Sequence, residues 1–533
     1  MPESVWNIAE IFGGGAKIDP PGGMMKVCLG RWIGYFGGMD SSARRFLLAA
    51  CMMSWPLPAV VADEADGAAR AAYPEPFSRP GAAGKEYDTW RGAKGPDVGE
   101  TVVDVKRLPS RVDNSTRPQF PPIYKQKGGA CGQFTAVASM FTYEMNVLNG
   151  TVASTEATRF PADFSWNMCN AAKSENGSEA HHGWEVAKQV GIPTVQSYGR
   201  VEGDRDKIGL WANGYSIWRE AMEYRVAGYR YTPVATVAQV NEARGWLFDR
   251  NQPQAGKEAV GGLLALDGRM GEMDKVTRTI PEGEHLAGED VWIRWGPSGH
   301  GHGITCAGYD DQVGFDVNGD GKITNDVDRN GDGKVTLADW ERGAFIVVNS
   351  WGKNWSKDGK IYLLYSAMVD STWDRGNFLG RIEVCRYFPR RTLKVKLACS
   401  NRSALRVTIG IAGAKDATKA EHEMMPEVLN GWPLFGDGNN VGEVLLAGPG
   451  DESPLELGID LTPLLEKLGP DAKGEGRLFL RVGRSEKSEV TGTVQACSVR
   501  SYDDKGGFVG ESVVEIKDGA FGGTPLTLEA VLQ

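Results

Sequence analysis

From Pro389 to the C-terminus the apolar residues fall on alternate positions, and this period of two constrains the fold more than any other feature of the chain. Leu393, Val395 and Leu397 alternate with Lys394 and Lys396, and Leu526, Leu528, Ala530 and Leu532 repeat the pattern at the end. Alternation of this kind buries one face of a strand and wets the other. Arg477–Val482 and Val513–Ile516 read as further strands. One short helix interrupts them, with Thr462 as N-cap, Pro463 in the first turn and Gly469 as stop. Residues 389–533 are therefore expected to form an all-β sandwich. Protein binding, carbohydrate binding and simple steric capping are all open for it. Residues 108–388 instead mix helical and strand periods, as an α+β unit does.

With 533 residues the chain holds about three to four units at ~150 residues each. Its 69 acidic against 59 basic side chains leave a net charge of -10, and no dense basic run is present to neutralise phosphates, which argues against a nucleic-acid partner. Arg44 and Arg45 precede an apolar run, Phe46–Ala62, that closes on small residues and reads as an export signal. Its depth points to a start at Met39, making 1–62 a preamble and signal and 63–107 a linker or short pro-segment. Such a leader places the protein outside the cytoplasm, secreted or periplasmic, with the cell surface also open. No other stretch reaches the ~18 apolar residues that a membrane span needs. Losing the leader leaves Cys131, Cys169, Cys306, Cys385, Cys399 and Cys497, too few for a disulfide scaffold in so long a chain. Cys399 and Cys497 are the candidates for a bridge in the sandwich.

The most informative segment is Pro121–Asn146. After Gly128 and Gly129, the residues Phe134, Val137, Ala138, Phe141 and Met145 recur at helical spacing, so Cys131 stands in the first turn of an amphipathic helix. The positive end of a helix favours a thiolate, and a nearby imidazolium favours it further. His302 opens a strand through Gly308 and Tyr309, and the apolar strand that follows Ala344 ends in Asn349. A Cys, a His and an Asn on separate segments are the parts of a thiol hydrolase: nucleophile, general base and orienting amide.

On these residues the chain resembles the papain-like cysteine peptidases over about 108–388. Leu108-Pro109-Ser110 with Phe120–Tyr124, Cys131 with Phe134, Ala136 and Val137, Gly191-Ile192-Pro193, His302 with Gly308-Tyr309, and above all Asn349-Ser350-Trp351-Gly352 with Asn354, Trp355 and Gly359 carry the likeness. The resemblance implies a two-lobed catalytic domain, one lobe helical and one a β-barrel, that hydrolyses polypeptides. Cys131 would attack as a thiolate ion-paired with His302, Asn349 would orient the ring, Trp351 would shield that bond and lie at the substrate, and Gln126 would donate to the oxyanion. His300 is the rival base, at the wrong offset from Gly308-Tyr309. His181-His182-Gly183-Trp184 falls where the family places a glycine-rich cleft wall, which makes Gly183 a substrate contact; the adjacent histidines could bind metal, but no acidic or cysteine partner has suitable spacing, so a surface turn is expected for them. Gly132 stands where the family usually has Trp, Gln126 lies one residue closer to the nucleophile, and Gly128-Gly129 replace a disulfide cysteine. These departures keep open an inactive peptide-binding homologue, and an acyltransferase could use the same site.

Between His302 and Asn349 lies an acidic insertion, 310–343. Asp328, Asn330, Asp332, Lys334, Thr336 and Asp339 occupy positions 1, 3, 5, 7, 9 and 12 of a calcium loop, with Gly333 at the sharp turn and the Lys334 carbonyl as a ligand. Asp316, Asn318, Asp320, Lys322 and Thr324 repeat the pattern, but position 12 is Val327. No helix fits between loops that abut, so consecutive loops around adjacent calcium ions are expected, fixing the strands on either side.

Overall fold

The structure is a computed structural model and describes residues 104–532 apart from 171, 174–176, 200–207, 251–257, 296–297, 370–377, 432–442, 470–475 and 486–488. The export signal, Met39 and all of the 63–107 segment before Asp104 lie outside the described residues.

A helix over 131–149 (α1) follows the Gly128-Gly129 turn. It is wound wide, in the π pattern, over Phe134–Phe141 and ends where Gly150 takes the left-handed conformation, φ 65°. Phe134, Val137, Phe141 and Met145 are buried as their spacing predicts, and so are Ala136, Met140 and Tyr143 on the remaining faces. A helix buried all round must be covered on every side. Here α2 (Ala162–Cys169) and α3 (Ala180–Gln189) cover it on one side and the large sheet on another.

That sheet contains β1 (Arg111–Asp113), β2 (Tyr224–Pro233), β3 (Leu264–Gly271), β4 (Thr277–Thr279), β5 (Asp290–Trp292), β6 (Ser298–Gly314), β7 (Arg342–Val348), β8 (Lys360–Leu364) and β9 (Phe378–Arg386). Their order is β2-β9-β3-β6-β7-β8-β5-β4, with β1 added to β6. The expected barrel is thus a nine-stranded sheet whose two end strands are not paired with each other among the described residues. Its central strand is β6. β3 pairs it on one side with Gly268 opposite His302, and β7 on the other with Val348 opposite Thr305. In an antiparallel pair, residues preceding Thr305 lie beside those following Val348. This register brings His302 to the turn that carries Asn349 and Trp351.

The histidine pair departs from expectation. His181, His182, Gly183 and Trp184 form the first turn of α3, with His181 and Trp184 buried. Ala180, Trp184 and Ala187 share the face that packs into the core, so the segment is an amphipathic helix and not a surface turn.

Beyond Pro389 the chain builds two antiparallel sheets. One is β13-β10-β15-β16, from Leu455–Asp460, Arg391–Cys399, Gly492–Tyr502 and Phe508–Val513, with β17 (Ala520–Phe521) on β15. The other is β12-β11-β14-β18, from His422–Met424, Leu405–Ala412, Gly476–Arg484 and Leu526–Leu532. Leu393, Val395, Leu397, Leu528 and Leu532 point into the shared core. Val513 closes β16, so the strand expected over Val513–Ile516 lies earlier in the chain. Thr462 is the first residue of the short helix rather than its cap; Leu461 caps it, and Asp460 Oδ1 accepts from the Thr462 amide at 2.9 Å. Cys399 and Cys497 are free. Cys497 pairs with Val395 while Cys399 pairs with Gly492, an offset of four strand positions or about 13 Å. A disulfide needs α-carbons under ~7 Å apart, so the expected bridge is ruled out.

Among the described residues, side chains pair across position 389. Arg225 donates to Asp460 at 2.9 Å with both side chains buried, and the Tyr215 hydroxyl lies 2.5 Å from both Thr392 Oγ1 and the Tyr502 hydroxyl. Arg402 donates to the Gly209 carbonyl at 2.8 Å and stacks over Trp211. Buried charges this tightly paired join the two halves, since breaking one partner leaves the other uncompensated. Among the described residues no helix is long and apolar enough to cross a membrane.

Candidate active site

Ala130 accepts from the amides of Gln133 and Phe134 at 3.0 and 2.9 Å, which starts α1 at Cys131 and leaves the first amides of the helix without intrahelical partners. Polar groups of Gly303, Gly132, Cys131 itself and Gln126 act to lower the Cys131 pKa. Burial nevertheless dominates and pushes the Cys131 thiol above its ordinary value.

His302 is buried, and its Nε2 lies 2.9 Å from Asn349 Oδ1. An amide oxygen can only accept, so Nε2 carries the proton and Nδ1 is the ring's basic nitrogen. Trp351, 37% exposed, covers this bond with its ring 4.9 Å from the imidazole, and Trp355 meets Trp351 edge-on. Burial lowers the His302 pKa, while the Asn349 hydrogen bond and the charge of Asp267 raise it. Burial thus acts on both groups toward their neutral forms, against the helix terminus, whose field favours the thiolate. His300 is exposed.

Gln126 reaches the site by backbone pairing. Its amide donates to the Ser350 carbonyl at 2.7 Å, and the Gly352 amide donates to Tyr124 at 2.8 Å. The Gln126 Nε2 donates to Gly128 at 2.9 Å, and its Oε1 accepts from the Ser350 hydroxyl at 2.5 Å. These bonds engage both polar atoms of the Gln126 side chain, whose effect on the Cys131 thiol opposes that of burial.

Gly132 has a packing cause. A β-carbon there would stand 1.9 Å from the Ser178 carbonyl oxygen. Gln133 holds that segment down, donating to Ser178 Oγ at 2.9 Å and the Glu179 carbonyl at 3.0 Å while accepting from Ser165 at 2.7 Å. Hydrogen bonds thus join 178–179 to the nucleophile helix; Cys169 is free and buried. Gly183 is buried against the Gln133 side chain, so the position expected to touch substrate serves a helix–helix contact instead. Gly132→Ala is expected to displace 178–179 and destabilise the fold by about 1–3 kcal/mol, read by urea unfolding.

The insertion forms two loops with one hydrogen-bond pattern. Asp316 accepts from the Gly319 and Gly321 amides at 2.7 and 2.8 Å, and Asp328 accepts from Gly331 and Gly333 at 2.7 Å each. Asn318, Asp320, Asn330 and Asp332 each accept from the amide two residues on. In the second loop Asp339 closes the ring, accepting from Arg329 and Asn330 at 3.0 and 3.2 Å and from Thr336 at 2.8 Å. In the first, Val327 is 42% exposed and takes no part; Glu341 accepts from the matching amides, Val317 and Asn318 at 2.8 and 3.1 Å and Thr324 at 3.5 Å. Glu341 also accepts through its carbonyl from Phe315 at 3.0 Å, tying the insertion to the ends of β6 and β7. Among the described residues no three His, Cys, Asp or Glu side chains are gathered as a metal cage, because these carboxylates are closed on amides.

Sequence reasoning missed Glu341, which lies outside any loop spacing, and Gln133, whose role needs a partner 45 residues away. It also missed Asp267, although a lone acid ending the apolar run Leu263–Leu266 was a visible signal.

No family model matches the chain, and no curated protein matches it. Among solved structures the chain is similar to xylellain, a cysteine protease from Xylella fastidiosa, at 16% identity and TM-score 0.33, covering 53% of this chain and 87% of that one. It is similar to the bromelain protease from Ananas comosus at 14% identity and TM-score 0.32, covering 52% and 99%. It is also similar to the proform of Amb a 11, a ragweed pollen cysteine protease, at 15% identity and TM-score 0.30, covering 52% and 66%.

Proposed function

We propose that this protein is a papain-like cysteine peptidase, exported from the cytoplasm, that cleaves polypeptides between a helical lobe around α1 and a sheet lobe around β6. One observation supports the reading: His302 Nε2 lies 2.9 Å from Asn349 Oδ1, and Gly303, the next residue of β6, packs against Gly132 beside Cys131 at the start of α1. As the sulfur attacks the scissile carbonyl carbon, His302 Nδ1 takes the thiol proton. The Cys131 amide and Gln126 donate to the oxyanion. His302 then gives its proton to the departing amine nitrogen, leaving a thioester, and water activated by the same ring releases the acid and restores the thiol. Close packing against Ser178 gives Gly132 a reason that does not depend on activity.

The reading also includes calcium in both loops. The donors fit a hard cation, being carboxylate, amide and carbonyl oxygens around glycines at the sharp turns, Gly321 and Gly333, with φ 80° and 83°. Asp316, Asn318, Asp320, the Lys322 carbonyl, Thr324 and Glu341 would hold one ion. Asp328, Asn330, Asp332, the Lys334 carbonyl, Thr336 and Asp339 would hold the other. Their chemistry is charge neutralisation at the join of β6 and β7.

Casein digestion by the full chain tests the peptidase reading. It is expected to be lost in step with alkylation of Cys131 by iodoacetamide, mapped by mass spectrometry. Undiminished digestion with Cys131 fully alkylated would sink the reading.

A further inference from the structure

Gln133 is fully buried two residues after Cys131, and its carboxamide joins three elements. Its Oε1 accepts from the Ser165 hydroxyl of α2 at 2.7 Å, and its Nε2 donates to Ser178 Oγ at 2.9 Å and to the carbonyl of Glu179, which caps α3, at 3.0 Å. A carbonyl oxygen only accepts, so the atom facing Glu179 is the nitrogen, and Ser165 fixes the amide in that sense. A β-carbon on Gly183 would stand 2.1 Å from Gln133 Oε1, so glycine at that position of α3 leaves room for the carboxamide.

These bonds lay the segment before α3 along the stretch that contains Cys131. The Ser178 carbonyl oxygen would be 1.9 Å from a β-carbon on Gly132, and a β-carbon on Gly177 would be 3.4 Å from the Gly129 carbonyl oxygen, so 177–178 runs beside 129–132. Gly177 is exposed and Ser178 half-buried. Among the described residues the backbone amides and carbonyls of Gly177 and Ser178 make no hydrogen bond. Exposed backbone with unpaired donors and acceptors is an edge on which an extended peptide pairs through its main chain.

We propose that Gln133 is a positioning residue for the polypeptide substrate: through Ser178 and Glu179 it holds the 177–178 backbone beside Cys131, where an extended main chain pairs with it. The interaction is made to bound substrate and transition state alike, so its loss raises KM. The inference rests on the peptidase reading for its consequence, while the hold of Gln133 on the segment is measured apart from activity.

The test compares the wild-type full chain with Gln133→Met, which keeps the length of the side chain and removes all three hydrogen bonds. Two substrates are used: a tetrapeptide amide, and an acetyl amino-acid aryl ester too short to reach 177–178. The ratio of kcat/KM for the peptide to that for the ester is expected to fall about tenfold, with KM for the peptide carrying the change. Deuterium uptake across 177–182, read by mass spectrometry, is expected to rise in the variant. Ser165→Ala, which frees the Gln133 carboxamide without touching the segment, is expected to lower the same ratio about threefold and serves should the Met variant fail to fold. An unchanged ratio, or unchanged deuterium uptake, in the folded variants overturns the proposal. Hydrolysis of neither substrate by the wild type overturns the peptidase reading alone, because deuterium uptake still reports whether Gln133 holds the segment.

Discussion

Cys131→Ala is expected to lower kcat for peptide hydrolysis at least about a thousandfold while shifting the unfolding free energy by less than about 2 kcal/mol. Alanine removes the only atom that can form the thioester. His302 and the oxyanion donors remain, so the residual rate is that of water activated in a preorganised site, which is still well above the uncatalysed rate. The structural change is small. The sulfur is buried, but the cavity left is that of a single atom, and the helix start is set by Ala130 and not by the thiol. Steady-state kinetics and urea unfolding on the same preparation separate the two effects. A variant that kept a tenth of the activity would show that the sulfur is not the nucleophile.

Removing calcium is expected to produce the largest loss of stability. Each ion bound only to the folded chain adds about 4 kcal/mol at a free concentration a thousandfold above its Kd. The unfolding midpoint should therefore fall steeply on adding a chelator and recover with excess calcium. Glu341→Gln and Asp339→Asn should each remove one of the two bound equivalents in a calcium titration, because each acid closes a different loop. Glu341→Gln is also expected to weaken the β6–β7 join, since the Glu341 carboxylate holds the Val317 and Asn318 amides beside the Gly314–Arg342 pair. A midpoint insensitive to chelator would remove calcium from the account. Loss of one equivalent in Asp339→Asn with none in Glu341→Gln would show that the first loop does not close through Glu341.

How much of this was legible in the chain depended on distance along it. Cys131 at a helix start, the strands through Leu393–Leu397 and Leu526–Leu532, and the glycines of the two acidic loops follow from neighbours within a few residues. Local reasoning failed where a single turn can be built two ways. His181 and His182 carry polar side chains that suit a surface, yet the spacing of Ala180, Trp184 and Ala187 suits the buried face of α3, and the core took the second option. The Cys399–Cys497 bridge failed for a different reason. Two buried thiols on paired strands look compatible until the register offsets them by four positions.

Backbone periodicity and turn chemistry are short-range, which is why the residues themselves determined most element types, the place of Cys131 on its helix and the glycine turns of the two acidic loops. The partnerships belong to the tertiary structure: Gly132 under Ser178, Glu341 closing a loop that begins at Asp316, Arg225 bound to Asp460, and Asp267 facing Gly303. Each depends on a strand register or a packed interface, and these are decided by burying whole faces at once, a sum over many residues that no local segment contains.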